Sequence, residues 1–181
     1  SFALAADLVE RGVIGSEQAL ELIEPADLSI AAPLSIDGAA APSVRGVAAG
    51  PGTAEGFACL SYAQARAWAA AGLSPILFTH EVVPEELEAL RGCAAIVTVR
   101  GGLTGEAAII ARGLSKPCVA SGASLSLEPS EVRSLEDRSA PPLRPGDRVT
   151  LDGGRGLVLW GAHPRVVRDV APKVASVLEG L

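Results

Sequence analysis

The sequence is poor in aromatic residues, methionine and cysteine. Aromatic side chains make up 3% of the 181 residues, and methionine is absent even at position 1. A hydrophobic core must therefore be built from Val, Leu, Ile and Ala, which bury less area per residue than rings do. The missing initial methionine predicts that the chain is a piece of a longer one. Cys59, Cys93 and Cys118 each lie in a separate apolar segment, which predicts buried reduced thiols rather than a zinc site.

Clustered positive charge and long hydrophobic runs are also missing. The net charge is −6 and the 15 basic residues are scattered, whereas nucleic-acid partners require clustered Lys and Arg. Apolar segments such as 93–97 and 107–111 are too short to cross a bilayer. The N-terminus carries Asp7 and Glu10 and lacks the pattern of a signal peptide. We therefore expect a cytoplasmic protein that binds neither nucleic acid nor membranes.

The residues that are present divide the chain into four parts. The hydrophobic fraction of 49% excludes intrinsic disorder for most of it. Apolar residues at helical spacing predict a helical segment over residues 1–28, and residues 29–43, rich in Ala, Pro, Ser and Gly without a period, predict a linker. Residues 44–161 form the predicted compact domain. Valines at helical spacing predict an exit helix or linker over residues 162–181.

Within the compact domain, short apolar segments bounded by Gly or Pro alternate with helical patterns. This order predicts an α/β fold with a mixed sheet rather than a purely parallel one. Residues 125–145 have little periodicity and two adjacent prolines, which predicts a surface excursion. The predicted strands are residues 44–48, 56–60, 75–79, 94–99, 118–120, 148–152 and 157–160. The predicted helices are residues 63–71, 84–90 and 104–114.

One segment has a pattern with chemical meaning. A β-type run ends in Arg100-Gly101-Gly102, Thr104 stands where a helix N-cap belongs, and a strongly helical run follows. A strand, a Gly pair and a helix start present free amides and the positive end of a helix dipole, which together favour an anion. The same pattern also fits an ordinary capped turn. The anion or phosphate-binding candidates are Gly101, Gly102, Thr104 and Gly105.

Residues 98–122 closely resemble the phosphohistidine signature of PEP-utilising enzymes. The family motif runs Thr-x-x-Gly-Gly-x-Thr-Ser-His-Ala-Ala, then through Ala-Arg-Gly and Lys-Pro-Cys-Val to a Gly. Residues 46–56, 84–87 and 146–156 resemble other parts of the same domain, and residues 1–28 are similar to the segment upstream in the pyruvate phosphate dikinase branch. The chain matches the motif at Thr98, Gly101, Gly102, Thr104, Ala107, Ala108, Ala111, Arg112, Gly113, Lys116, Pro117, Cys118, Val119 and Gly122.

The resemblance implies a swivelling β/β/α phosphohistidine-type domain, to which the patterns above add helical extensions at both termini. In such enzymes the domain carries a phosphoryl group on a histidine between a nucleotide-binding domain and a PEP/pyruvate barrel domain of the same parent chain. The flanking segments 29–43 and 163–181 would then be hinges. The domain itself would need no cofactor or metal, and Mg with ATP or PEP would bind only in the partner domains of an active parent. A homodimer formed through the parent is a further expectation.

The chain departs from the motif at the residue that matters most for chemistry. The motif histidine falls on Glu106, and the serine before it falls on Gly105. Neutral imidazole is nucleophilic and passes a phosphoryl group on readily, whereas a carboxylate is ionised at pH 7 and weakly nucleophilic. We therefore expect a central mobile domain of a pyruvate phosphate dikinase-like protein that is unable to carry phosphate, hence a structural, docking or regulatory module.

Three interpretations of Glu106 stay open. It is a first-turn glutamate stabilised by the helix dipole, a fixed negative charge that imitates the phosphorylated state and biases docking, or itself the acceptor, as an acyl phosphate. The alternative function is accordingly an active phosphoryl-transfer domain that uses Glu106 or another residue. An α/β binding domain unrelated to this family is the third possibility.

Four further residues are weaker candidates. His80 and His163 are expected to be solvated loop residues, and either would have to come within about 3 Å of the Gly-Gly turn to act there. Arg112 is a supporting candidate that could pair with Glu106 or with a carboxylate of another domain, although a solvated side chain is the expectation. Cys118 is expected in the core, since nothing in the sequence lowers its pKa.

Overall fold

The computed structural model describes residues 11–15, 18, 34–36, 41–121 and 124–167. The chain divides into two units, one of residues 1–35 with 166–181 and one spanning residues 36–165. The second unit contains nearly all of the described residues. In the first unit, residues 11–15 form a turn and a bend, Gln18 is helical, and the remaining described residues belong to two short strands.

Short strands alternate with helices in the first half of the second unit, and strands alone follow. A 3₁₀ turn over Pro84–Glu86 precedes the second helix. The strands are β1 (Leu34–Ile36), β2 (Val44–Arg45), β3 (Val47–Gly50), β4 (Thr53–Cys59), β5 (Pro75–Thr79), β6 (Ala95–Thr98), β7 (Cys118–Ala120), β8 (Leu125–Leu127), β9 (Val132–Ser134), β10 (Arg148–Asp152), β11 (Leu157–Trp160) and β12 (Arg165–Val167). The helices are α1 (Tyr62–Ala70), α2 (Leu87–Gly92) and α3 (Glu106–Gly113).

The main sheet has eight strands in the order β2-β11-β10-β4-β5-β6-β7-β3. Strands β4 to β7 run parallel, whereas the other pairings are antiparallel. β2 and β3 lie at opposite ends of this order, yet Gly46 alone separates them in sequence, so the chain crosses from β11 to β7 and closes the sheet on itself. A Cβ at Gly46 would lie 2.5 Å from the carbonyl oxygen of Ala120, and this close approach of two backbones requires glycine.

The two faces of the closed sheet bury different kinds of side chain. Successive residues of a strand point to opposite faces, so Ile76 and Phe78 of β5 join the inner core, while Leu77 joins the layer beneath the helices. The helix layer is built largely from alanine and cysteine, and the inner core mostly from larger aliphatic residues. The rings of Phe78 and the partly buried Trp160 meet there in a T-shaped arrangement, with centroids 6.3 Å apart. Aliphatic residues thus make up most of the core, as the composition predicts.

The three cysteines are buried, reduced and unpaired, as predicted. Burial raises the pKa of the Cys93 thiol to about 11, against a smaller lowering by Lys116. Burial likewise raises the pKa of Cys59, and the neighbouring Cys93 adds to that rise. These thiols are packing groups at neutral pH, because the thiolate is the reactive form.

The mixed sheet is confirmed, and β5, β7, β10 and β11 have the predicted bounds. The other predicted strands and the three helices are present with shifts of one to three residues at their ends, as is usual for element boundaries. The predicted strand 44–48 is two strands, because the chain changes partners at Gly46. The helix predicted over 84–90 begins as the 3₁₀ turn and continues as α2.

Two segments that were expected to lack regular structure contain strands. The predicted linker contains β1, whose Ile36 is buried against Leu157 and Leu159. The predicted surface excursion contains the β8–β9 hairpin, and Leu125, Val132 and Leu143 within it join the inner core.

The exit helix expected over 162–181 does not include residues 165–167. They form strand β12, which pairs with β1. Two adjacent valines after Pro164 favour an extended backbone. Residues 162–164 have no regular secondary structure, whereas residues 168–181, most of the helical segment 1–28 and the motif residue Gly122 lie outside the described residues.

Candidate functional site

Two loops leave the sheet side by side at the carboxyl ends of β5 and β6. Thr79 and Thr98 are register partners at the ends of these strands. Beyond them, the amide of Val99 donates to the carbonyl of Thr79 at 3.0 Å, and the amide of Arg100 donates to the carbonyl of His80 at 2.8 Å. We call residues 99–105 the Gly-Gly loop and residues 80–83 the β5–α2 loop.

The Gly-Gly loop turns twice before α3 begins. Gly101 has φ +116°, a conformation that favours glycine. The amide of Gly105 then donates to the carbonyl of Gly102 at 3.0 Å, and the Gly105 carbonyl accepts from the amides of Ala108 and Ile109. This places Gly105 at the N-cap, so the prediction that Thr104 caps the helix was wrong. The extra turn over 102–105 delays the helix by one residue.

Consecutive backbone amides of the loop remain available. Within the described part of the chain, no group accepts a hydrogen bond from the amides of residues 101–104. The amides of Glu106 and Ala107, at the start of α3, also lack intrahelical partners. Below the loop, the hydroxyl oxygen of Thr98 is buried without a described hydrogen-bond partner. It lies 3.9 Å from where a Cβ on Gly101 would be. This arrangement has the donors that an anion needs, and anion binding itself stays a prediction.

Glu106 is the first residue of α3 and is exposed. Its carboxylate makes no hydrogen bond or ion pair with the residues that the structure describes. It therefore lies where the helix dipole stabilises a negative charge, with its side chain open to solvent.

Arg112 does not pair with Glu106, and it is exposed as expected, but its guanidinium is also engaged with the backbone. Its Nη1 donates to the carbonyl of Leu103 at 3.1 Å and to the carbonyl of Ala49 in β3 at 3.0 Å. Arg112 can reach the loop because helical side chains point back toward the N-terminus of their helix. It supports the site through the backbone of the loop.

The two histidines occupy different environments. His80 is exposed, as expected, and its backbone lies directly beside the Gly-Gly loop through the hydrogen bond to Arg100. His163 is half-buried, and its Nε2 lies 2.9 Å from the carbonyl oxygen of Trp160. Its amide donates to the hydroxyl of Thr150 at 3.0 Å. The expectation of a solvated loop residue was therefore wrong for His163.

Cys118 lies in β7 and is buried within the helix layer, so it is a core residue, as expected. Burial raises the pKa of its thiol to about 12, although the nearby Arg112 lowers it. A thiol of that pKa is protonated at neutral pH and is not a nucleophile.

Two exposed apolar side chains flank Glu106. Leu103 and Ile109 are each 60% exposed and lie three residues before and after it. Residues three apart on a helix are neighbours, so Ile109 shares the surface of Glu106. We call Leu103, Glu106 and Ile109 the loop face. The sequence analysis missed it, although an apolar residue three positions on either side of Glu106 was a signal that could have revealed it.

Among the described residues, no cluster of His, Cys, Asp and Glu side chains has an arrangement that could hold a metal ion. No helix in the described ranges is long and apolar enough to cross a membrane.

Comparison with known proteins identifies the family to which this fold and loop correspond. Residues 74–156 match the family described as PEP-utilising enzyme, mobile domain. The chain belongs to this family, as its resemblance to the phosphohistidine signature indicated.

The relatives are dikinases. The chain is 32% identical over 178 residues to pyruvate, phosphate dikinase of Rhizobium meliloti, covering 97% of this chain and 20% of that protein. It is 33% identical over 182 residues to the Rickettsia conorii enzyme, again with 97% and 20% covered. With the chloroplastic enzyme of Flaveria trinervia, it is 34% identical over 176 residues, covering 92% and 18%. The chain thus spans about a fifth of the length of these relatives.

Proposed function

We propose that this mobile domain acts within a longer pyruvate phosphate dikinase-like protein as a docking or regulatory module that carries no phosphoryl group. ATP, PEP and Mg would bind in partner domains. The observation that carries the proposal is Glu106, which stands at the motif histidine's position and begins α3 with an exposed carboxylate.

The carboxylate of Glu106 is a poor phosphoryl acceptor. A carboxylate is ionised at pH 7 and is weakly nucleophilic compared with a neutral imidazole. An acyl phosphate at this position would also be a short-lived carrier compared with a phosphoramidate. A fixed negative charge, in contrast, is available to a partner domain at all times, as a phosphorylated side chain would be.

The loop face supports docking. Leu103 and Ile109, three residues before and after Glu106, each expose apolar surface. A partner surface with an apolar rim around a basic residue would match this arrangement, because burying the two side chains gives affinity and the charge gives orientation. The nucleotide-binding domain and the PEP/pyruvate barrel of the longer protein are the proposed partners.

The rival proposal is a working carrier that uses another acceptor. His80 favours it, because the backbone of His80 lies beside the Gly-Gly loop and its side chain is exposed. His163 supports it less, since its ring is already engaged with Trp160.

Labelling of the full-length protein separates the two proposals. The protein is incubated with labelled PEP, and separately with labelled ATP plus phosphate, beside an active dikinase. We expect no bound label. An acid-labile, alkali-stable label that the His80→Gln variant abolishes would establish the rival. A hydroxylamine-sensitive label on Glu106 would establish an acyl phosphate.

Restoring the motif is the complementary test. Glu106→His is made alone and together with Gly105→Ser, because a Cβ at position 105 would lie 3.0 Å from the Gly102 nitrogen and must displace the turn. We expect the single variant to keep the present loop and the double variant to reopen it. Label on the single variant, with none on the parent, would show that the change at Glu106 alone blocks transfer, and label on the double variant only would show that Gly105 also contributes. No label on a folded double variant would show that the loss extends to other domains.

A further inference from the structure

We propose that Arg112 is the positioning residue of the Gly-Gly loop and thereby sets how the loop face is presented. This inference rests on the docking role proposed above. Among the described residues, Arg112 makes no hydrogen bond or ion pair with the side chains of the loop face. It acts through the Leu103 carbonyl, which its Nη1 holds at 3.1 Å.

The second contact of Arg112 fixes the loop to the sheet. Ala49 is the residue at which the β3–β7 register shifts, between the pairs Ala48–Val119 and Gly50–Cys118. Such a bulge residue is left out of the regular ladder, and the Nη1 of Arg112 donates to the Ala49 carbonyl at 3.0 Å. Ala49 is itself 1% exposed and packed in the helix layer. One guanidinium nitrogen therefore joins the loop to a rigid part of the fold.

The loop has little else to hold it. Between Arg100 and α3, the amide of Gly105 donates to the carbonyl of Gly102, and this hydrogen bond joins two residues of the loop itself. The amides of residues 101–104 donate to no described group. The carbonyl of Leu103 is thus the point at which the middle of the loop is attached, and the exposed Leu103 side chain is carried by the same residue.

The last turn of α2 provides an internal comparison. Arg91 is the basic residue there, as Arg112 is in α3. Among the described residues, Arg91 forms an ion pair with Glu88 of its own helix, at 4.0 Å, and hydrogen-bonds to no loop carbonyl; both side chains are largely exposed. A basic residue in the last turn therefore need not reach a loop, and Arg91 is the matched control.

The test measures backbone order in the 181-residue chain by NMR. In Arg112→Met, we expect the order parameters of residues 101–105 to fall from about 0.85 to below about 0.6, while those of the sheet are unchanged. Arg91→Met should leave the loop as it is. Arg112→Lys should restore much of the order, because an ammonium group has donors for both carbonyls. Order parameters unchanged in Arg112→Met, or lowered equally across the domain, would overturn the proposal.

A measurement on the unaltered chain keeps the proposal testable if Arg112→Met does not fold. Rotation about the Cζ–Nη bonds of a bridging guanidinium is slowed, so we expect separate Nη proton signals for Arg112 at a temperature where those of Arg91 have merged. Merged signals for both arginines would overturn the proposal. Neither readout depends on phosphoryl transfer, so labelling of the full-length protein could refute the docking role without touching this result.

Discussion

The two loops that follow β5 and β6 begin side by side but are held in opposite ways. In the β5–α2 loop, two hydroxyl groups bind the backbone. The Tyr62 hydroxyl donates to the carbonyl of Glu81 and accepts from the amide of Val83, both at 3.1 Å. The Thr79 hydroxyl donates to the same Glu81 carbonyl at 2.9 Å. Side chains from the fold thus bind the Glu81 carbonyl and the Val83 amide of this loop.

The middle of the Gly-Gly loop leaves the amides of residues 101–104 open and is attached through one carbonyl. Arg112 binds the Leu103 carbonyl, and the backbone donors of residues 101–104 have no described acceptor. Unsatisfied donors at the surface cost little in water but are available to a ligand or a partner domain. The β5–α2 loop is therefore bound through two hydroxyl groups, whereas the open donors at residues 101–104 would be available to the docking role proposed above.

The largest expected effect comes from the backbone of the Gly-Gly loop. Gly101→Ala should destabilise the domain by about 1–3 kcal/mol, because φ +116° strains any residue with a Cβ. Crowding adds little, since the new Cβ would lie 3.9 Å from the Thr98 hydroxyl. Urea unfolding measures the difference.

Gly102→Ala is the matched control for that substitution. A Cβ at Gly102 meets nothing within 4 Å, and its φ lies outside the positive range. We expect no destabilisation, or a gain of about 0.4–1 kcal/mol from a less flexible unfolded chain. Equal losses in both variants would contradict a strained turn at Gly101.

Tyr62→Phe should weaken the β5–α2 loop and leave the Gly-Gly loop unchanged. The variant removes the acceptor of the Val83 amide and one donor to the Glu81 carbonyl, which should lower the free energy of unfolding by about 1–2 kcal/mol. Hydrogen exchange of the Val83 amide should accelerate, with no change in the amide shifts of residues 101–105. A disturbance that spread into the Gly-Gly loop would show that the two loops are coupled.

The sequence predicted the strands of the main sheet more accurately than the segments that pack against them. Strands such as β5 and β10 were predictable because apolar runs bounded by Gly or Pro carry a local signal. Leu125, Val132 and Leu143 have no common period, so their burial in the inner core depends on tertiary packing that no local pattern contains.

The site divides in the same way. The motif located Gly101, Gly102 and the start of the helix, because a turn and a cap are determined by neighbouring residues. It did not locate the partners of Arg112, since Ala49 lies 63 residues away and both acceptors are backbone carbonyls, which carry no residue-specific signal. The cap moved from Thr104 to Gly105 because the turn over 102–105 took one more residue.

The smallest expected effect decides between two interpretations of Glu106. Glu106→Gln removes a charge from the first turn of α3, and Glu85→Gln does the same in the 3₁₀ turn that leads into α2. If each glutamate only complements the positive end of its turn, Glu106→Gln should lower stability by about 0.3–1 kcal/mol and Glu85→Gln by no more. Both losses should fade in 1 M salt, where the Debye length is about 3 Å. Thermal unfolding at low and high salt measures them.

If Glu106 also imitates a phosphorylated residue, Glu106→Gln should in addition loosen the association of the domains in the full-length protein, whereas Glu85→Gln should not. Equal effects of the two variants on domain association would leave Glu106 with the dipole role alone.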